Sequence, residues 1–124
     1  MTLNPTNINI TTAGAHALTT TEVLAGVITR TGPGGGFIDT FPASADLIAA
    51  LVNNTPFRVD YLNASAQTCT FAAADAKTTI AFGAGMLGAT TVATNQRCQL
   101  LFQPSGTANN PTVLVTLLSR NTMV

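Results

Sequence analysis

Phe57-Arg58-Val59-Asp60-Tyr61 is the stretch on which the fold of this chain turns. Apolar Phe57, Val59 and Tyr61 alternate with charged Arg58 and Asp60, the period of a strand with one face inside and one in water. The same alternation spreads outward toward the C-terminus. After the turn-like Asn63-Ala64-Ser65-Ala66, residues 67–73 set Cys69 and Phe71 against Thr68 and Thr70, which predicts a hairpin with the first strand. Residues 78–82 predict another short strand, closed by Gly83-Ala84-Gly85. Residues 96–103 alternate Cys98, Leu100 and Phe102 against Arg97, Gln99 and Leu101, and residues 104–110 form a turn cluster. The last strand, residues 111–119, is apolar on both faces: Val113, Val115 and Leu117 on one, Leu114 and Leu118 on the other. Both faces of such a strand need a cover, and in a small domain a second subunit is a natural source of one of them.

Toward the N-terminus, residues 19–31 read as a strand with Val23, Ala25 and Val27 on one side and Leu24 and Ile28 on the other. Gly26 in its middle signals a bulge or a close backbone contact. Gly32-Pro33-Gly34-Gly35-Gly36 is a turn or flexible loop. Residues 1–12, rich in Asn and Thr, read as a polar arm or an edge strand. One helix is predicted at about 44–53, with Ser44 as N-cap, Asp46 in the first turn and Leu47, Ile48, Leu51 and Val52 as its apolar stripe. Pro56 ends it. The expected fold is therefore all-β with one short helix, an antiparallel β-sandwich or jelly-roll-like barrel over residues 13–124, preceded by the arm at 1–12.

Composition narrows the function. The chain has 124 residues, of which 46% are hydrophobic and only 8% charged, against roughly 25% charged in an ordinary soluble domain. Its mean hydropathy is +0.35, yet no stretch approaches the ~20 apolar residues of a membrane helix. A charge-poor, apolar, water-compatible chain is expected to bury surface against copies of itself, as a homo-oligomer. Five cations balance five anions, and Arg30, Arg58, Lys77, Arg97 and Arg120 are scattered. Neither nucleic acid nor an anionic membrane surface is an expected partner, since both need clustered cations. Residues 1–10 show no secretory signal pattern, so the protein is expected to be made in a cytoplasm.

Chemistry-bearing motifs are sparse. His16 is the single histidine, in Ala-His-Ala with no obvious acid partner, which rules out a two-histidine metal site within one chain. Ser105 lacks a nucleophile-elbow context, and the glycine loop lacks the Gly-Lys-Ser/Thr ending of a phosphate loop. Asp75 and Lys77 read as a solvated pair, and Asp39, Asp46 and Asp60 lack EF-hand spacing. Cys69 and Cys98 read as two buried thiols, with a disulfide as the alternative where their strands are neighbours. No catalytic, cofactor-binding or metal-ligating residue is assigned, and an enzyme is not expected.

The order of features resembles that of small tailed-phage virion proteins. The residues that carry this are Ile28-Thr29-Arg30, Gly32-Pro33-Gly34, Asp39-Thr40, Ser44-Ala45-Asp46-Leu47-Ile48-Ala49-Ala50-Leu51, Phe57-Arg58-Val59-Asp60-Tyr61-Leu62-Asn63 and Ala66-Gln67-Thr68-Cys69-Thr70-Phe71-Ala72-Ala73. Within that group the chain is similar to capsid decoration, or cement, proteins, departing from them in its glycine-rich loop and in the Ala/Gly-rich residues 82–89. The resemblance implies an oligomer, with a trimer favoured, seated on the capsid surface of the virion against the major capsid protein. The candidate lattice contacts are then Asn4, Asn7 and Asn9 of the arm and Gly34, Gly35, Phe37 and Asp39 of the loop, with Leu114, Leu118, Leu47 and Leu51 for the core and the subunit interface. The alternative is a tail or head-fibre module for receptor binding, which the absence of Trp and the single Tyr61 make a poorer match to sugar contact.

Overall fold

The structure is a computed structural model that describes residues 5–51, 53–82, 91–107 and 109–122. Asn4, Val52 and the Gly83-Ala84-Gly85 turn lie outside the described residues. The elements run β1 (Thr6–Ile10), β2 (His16–Ala17), α1 (Thr20–Leu24), β3 (Gly26–Arg30), β4 (Phe37–Thr40), α2 (Ser44–Ala50), β5 (Phe57–Asn63), β6 (Cys69–Ala72), β7 (Thr78–Phe82), β8 (Thr91–Val92), β9 (Gln96–Thr107) and β10 (Asn110–Thr122). Strands take up 54% and helices 11% of the described residues, so the chain is β-dominated.

The strands form a six-stranded sheet, β1-β3-β5-β9-β10-β7, and a four-stranded sheet, β2-β4-β6-β8. Successive strands from β1 to β9 alternate between the two sheets. Through β6 the chain therefore winds, each turn laying one strand on each sheet beside the strand of the turn before, whereas β7 is carried to the far edge beside β10 and β9 takes the place beside β5. That winding makes β1, β3 and β5 parallel neighbours, and likewise β2, β4 and β6. The expected antiparallel arrangement is corrected: among the described residues both sheets are mixed, with antiparallel pairing where β5 meets β9, β9 meets β10 and β6 meets β8, and β7 parallel to β10.

The corner after β5 shows why. Residues 64–68 resemble a hairpin turn in composition, but Asn63 is fully buried and directs them elsewhere. Its side-chain amide donates to the carbonyls of Gln67 at 2.7 Å and Val92 at 2.8 Å, while its Oδ1 accepts from the Ser65 amide and hydroxyl. These bonds bend the chain out of one sheet and into the other, so β5 and β6 do not pair.

Residues 19–31 are also corrected, from one strand to a short helix followed by β3. Thr19 caps α1 by accepting from the Glu22 amide, and the Glu22 carboxylate accepts from the Thr19 amide at 2.8 Å, a capping box. Gly26 sits at the helix-to-strand junction with φ +96, where a Cβ would stand 2.9 Å from that of Pro5. α2 ends at Ala50, with Leu51 already extended. Its N-cap is Ala43 rather than Ser44. The capping acceptor comes from 31 residues away: the Asp75 carboxylate takes the Ser44 amide at 3.0 Å and the Ser44 hydroxyl at 3.0 Å. The Asp75 carboxyl is held below the usual carboxylate range, first by the Ser44 amide, against a smaller opposing effect of burial. A depressed folded-state pKa adds stability that is present above about pH 4 and lost as pH falls through the folded value. Asp75→Ala is expected to cost about 1 kcal/mol at neutral pH, the usual worth of a helix cap, and to flatten the acid limb of a stability-versus-pH curve measured by urea unfolding.

The sheets face each other across one core. Phe102 of β9 stacks on Phe57 of β5 at 4.8 Å and meets Phe41 edge-on at 5.4 Å, and Phe41 stacks on Phe71 of β6 at 5.1 Å. Where the shorter sheet does not reach, helices serve as cover: α1 packs on β3 and β5, and α2 on β9 and β10.

Candidate functional site

A charged cluster lies inside the protein where β3, β4, β5 and β6 converge. Arg30, Asp39, Tyr61 and Cys69 are all 0% exposed. Arg30 donates from Nε to Asp39 Oδ2 at 2.9 Å and from Nη2 to Oδ1 at 3.1 Å, a bidentate pair. Its remaining donors reach the backbone carbonyls of Thr12, at 2.8 Å, and Gly14. Its guanidinium carbon stands 4.7 Å from the centre of the Phe37 ring. The Tyr61 hydroxyl donates to Asp39, and Cys69 Sγ lies 3.2 Å from that hydroxyl. Burial first, then the neighbouring Cys69 and Asp39, push the Tyr61 phenol far above its ordinary pKa, so it stays a donor. Burial likewise pushes the Cys69 thiol to about 12.

This cluster joins the two sheets and pins the 11–14 loop, with the charge of Arg30 matched and its donors occupied. A side chain with no path to solvent meets no substrate, so the cluster acts as a clamp. Phe37 and Asp39 are thereby moved from the surface contacts expected of the 32–39 loop to the interior. Opposite charges placed nine residues apart on successive strands left no periodic trace; Arg30 on β3 of one sheet and Asp39 on β4 of the other meet across the core because the chain crosses between the sheets.

The other expected contacts are divided. Gly34 and Gly35 are exposed with open space around them. Asn7 and Asn9 are exposed on the edge strand β1, where they accept from the hydroxyls of Thr29 at 2.8 Å and Thr31 at 3.2 Å. Leu47 is fully buried in the core and Leu51 is half-buried. Leu114 is 37% exposed, and Leu118 is half-buried at a bulge in β10. Cys69 and Cys98 are free, buried thiols on different sheets, the latter also pushed by burial to about 12. His16 has the acid partner its immediate neighbours do not reveal: Nε2 is 3.0 Å from Glu22 Oε1, across the turn into α1. Burial raises the Glu22 pKa, but the Thr19 amide and the His16 ring more than offset this and hold it below the usual range.

Among the described residues, nothing packs on the outward face of the six-stranded sheet. Val27, Arg58, Asp60, Leu62, Arg97, Gln99, Leu101, Gln103 and Leu114 all point away from the core, as the strand alternation requires. A depression of about 430 Å³ opens on it between Pro5, Val27, Pro56, Arg58, Asp60 and Leu101. Among the described residues no group of three His, Cys, Asp or Glu side chains gathers at a metal-binding distance, and no helix is long and apolar enough to cross a membrane.

No protein-family model, curated protein or solved structure matches the chain. Geometry and chemistry alone therefore bear on what the protein does.

Proposed function

We propose that the chain is a structural module that acts by packing into a homo-oligomeric assembly, and that this assembly is the decorated capsid of a phage. The observation that carries the assembly reading is the division of the chain's charge. The strongest charged group is consumed in a sealed internal clamp, whereas a broad sheet face with half-exposed leucines is left without cover. A cement protein needs this combination: a stiff body that resists strain and a face that gains from neighbours. Burial contributes at roughly 25 cal/mol per Å² before association costs, and a symmetric oligomer multiplies modest contacts. The capsid reading rests on the resemblance of residues 23–120 to small virion proteins. Two facing mixed sheets over one core favour a sandwich over a jelly roll, whose paired Greek keys are antiparallel.

The test is to purify particles from a phage that encodes the chain. Co-purification in fixed stoichiometry with the major capsid protein, antibody labelling on the head, and particles that open at lower temperature when the protein is stripped are the expected results. Labelling at the tail, or absence from intact particles, would sink the capsid reading. Truncating residues 1–12 is a poor substitute, because it removes β1 and the Thr12 carbonyl that Arg30 uses.

A further inference from the structure

The outward face of the six-stranded sheet is complementary in charge to itself. The chain's ten formal charges are Glu22, Arg30, Asp39, Asp46, Arg58, Asp60, Asp75, Lys77, Arg97 and Arg120. Arg30 and Asp39 satisfy each other, Glu22 holds His16, Asp75 caps α2, Lys77 reaches Asn110 and Arg120 reaches the Thr91 carbonyl. Among the described residues the side chains of Asp46, Arg58, Asp60 and Arg97 make no hydrogen bond or ion pair; Asp46 stands on α2, and the other three stand on this one face.

We infer that this face is a two-fold contact between copies of the chain, in which Arg58 of each copy pairs with Asp60 of the other. The inference rests on the homo-oligomer part of the proposed function and not on the capsid. Its geometry follows from strand spacing. Arg58 and Asp60 are alternate residues of β5, ~7 Å apart on one face. A two-fold axis lying between the faces, across the strands and above Val59, exchanges their positions. Each Arg58 then meets the partner copy's Asp60, and by symmetry the pair forms twice. The guanidinium and carboxylate are suited to bidentate pairing.

The same axis treats the neighbouring strand consistently. Leu101 is the register partner of Arg58 and Gln99 that of Asp60. Leu101 therefore lies over Gln99 of the second copy, and Arg97 over its Gln103, a donor over an acceptor. The depression beside Arg58 and Asp60 offers apolar surface from Val27, Leu101, Pro5 and Pro56 to the aliphatic stem of the incoming Arg58. Nucleic acid is a poor occupant because Asp60 sits between the two arginines, and adjacent opposite charges match their own image better than a surface of one sign.

Area sets the strength. Six strands at ~4.8 Å spacing and the seven residues of β5 at ~3.3 Å each give a patch on the order of 550 Å². A standard stable interface takes about 800 Å² per partner, so the contact is expected to be of micromolar strength and to show as a concentration-dependent equilibrium.

Sedimentation equilibrium of the full chain, from low micromolar to near-millimolar concentration, reads it. Arg58→Asp alone and Asp60→Arg alone each turn both pairs into repulsions and are expected to weaken this association about tenfold or more. The double variant Arg58→Asp with Asp60→Arg is expected to recover it, and the two single variants, once mixed, to associate with each other. Circular dichroism of each variant verifies that the strands persist, as exposed positions predict. Self-association indifferent to both single reversals overturns this contact while leaving the oligomer reading in place. Single variants that lose association with no recovery in the double or in the mixture also overturn it, since a face serving a different partner has no reason to be restored by exchange. A wild-type chain that stays monomeric throughout the range removes the contact and the homo-oligomer reading together.

Discussion

Asp39→Ala is expected to lower the stability of the fold by about 3–5 kcal/mol, the cost of breaking a buried ion pair from one side. Arg30 has no exposure through which water could replace the lost carboxylate. It would keep its bonds to the Thr12 and Gly14 carbonyls but hold an uncompensated charge beside the Phe37 ring. The Tyr61 hydroxyl would lose its carboxylate acceptor in the same step, leaving only the weaker Cys69 Sγ at 3.2 Å. Against a total stability of about 5–15 kcal/mol for a small domain, a loss of that size removes a large fraction of the total. Urea unfolding followed by circular dichroism measures it. Arg30→Met with Asp39→Leu removes both charges, and it is expected to be less destabilised than the sum of the single Arg30→Met and Asp39→Leu variants, because neither charge is then left alone. Additive effects would mean that the two groups do not act as a pair.

Phe102→Ala is expected to cost about 3–5 kcal/mol by the cavity it leaves in the core. Phe102 is fully buried and is the ring on which Phe57 stacks and Phe41 stands edge-on, and Phe41 carries the contact onward to Phe71 in the second sheet. Removing it takes a ring from the middle of a column that joins both sheets, so collapse around the void would have to move strands. Phe102→Leu keeps most of the volume and is expected to lose less than half as much. A fall in the urea midpoint with an unchanged slope is the expected signature. A changed slope would indicate that the variant alters the compactness of one end state instead.

Much of the secondary structure was legible. β5, β6 and β7 fall close to where alternation predicts them, and Cys69 and Phe71 face inward as read. Residues 104–110 misled because Pro104 and Gly106 resemble a turn, whereas β9 runs through them to Thr107 before the chain reverses. The α1 capping box was visible as Thr19 and Glu22, but the apolar alternation around it outweighed a five-residue helix. The clamp was not legible at all. Arg30 and Asp39 looked like loop-flanking polar residues, and only the crossing of the chain from one sheet to the other between β3 and β4 turns both side chains toward the same interior point.

The stretch around Val59 shows the division plainly. Alternation alone determined that Phe57, Val59 and Tyr61 face inward and Arg58 and Asp60 outward, because the period of a strand is a local property of the backbone. Whether the next strand returned beside it or crossed to the opposite sheet was decided by the four hydrogen bonds that Asn63 makes with Gln67, Val92 and Ser65. Three of those bonds are local, but the fourth reaches the Val92 carbonyl 29 residues away, and the burial that makes all four worth forming exists only once the rest of the fold is in place.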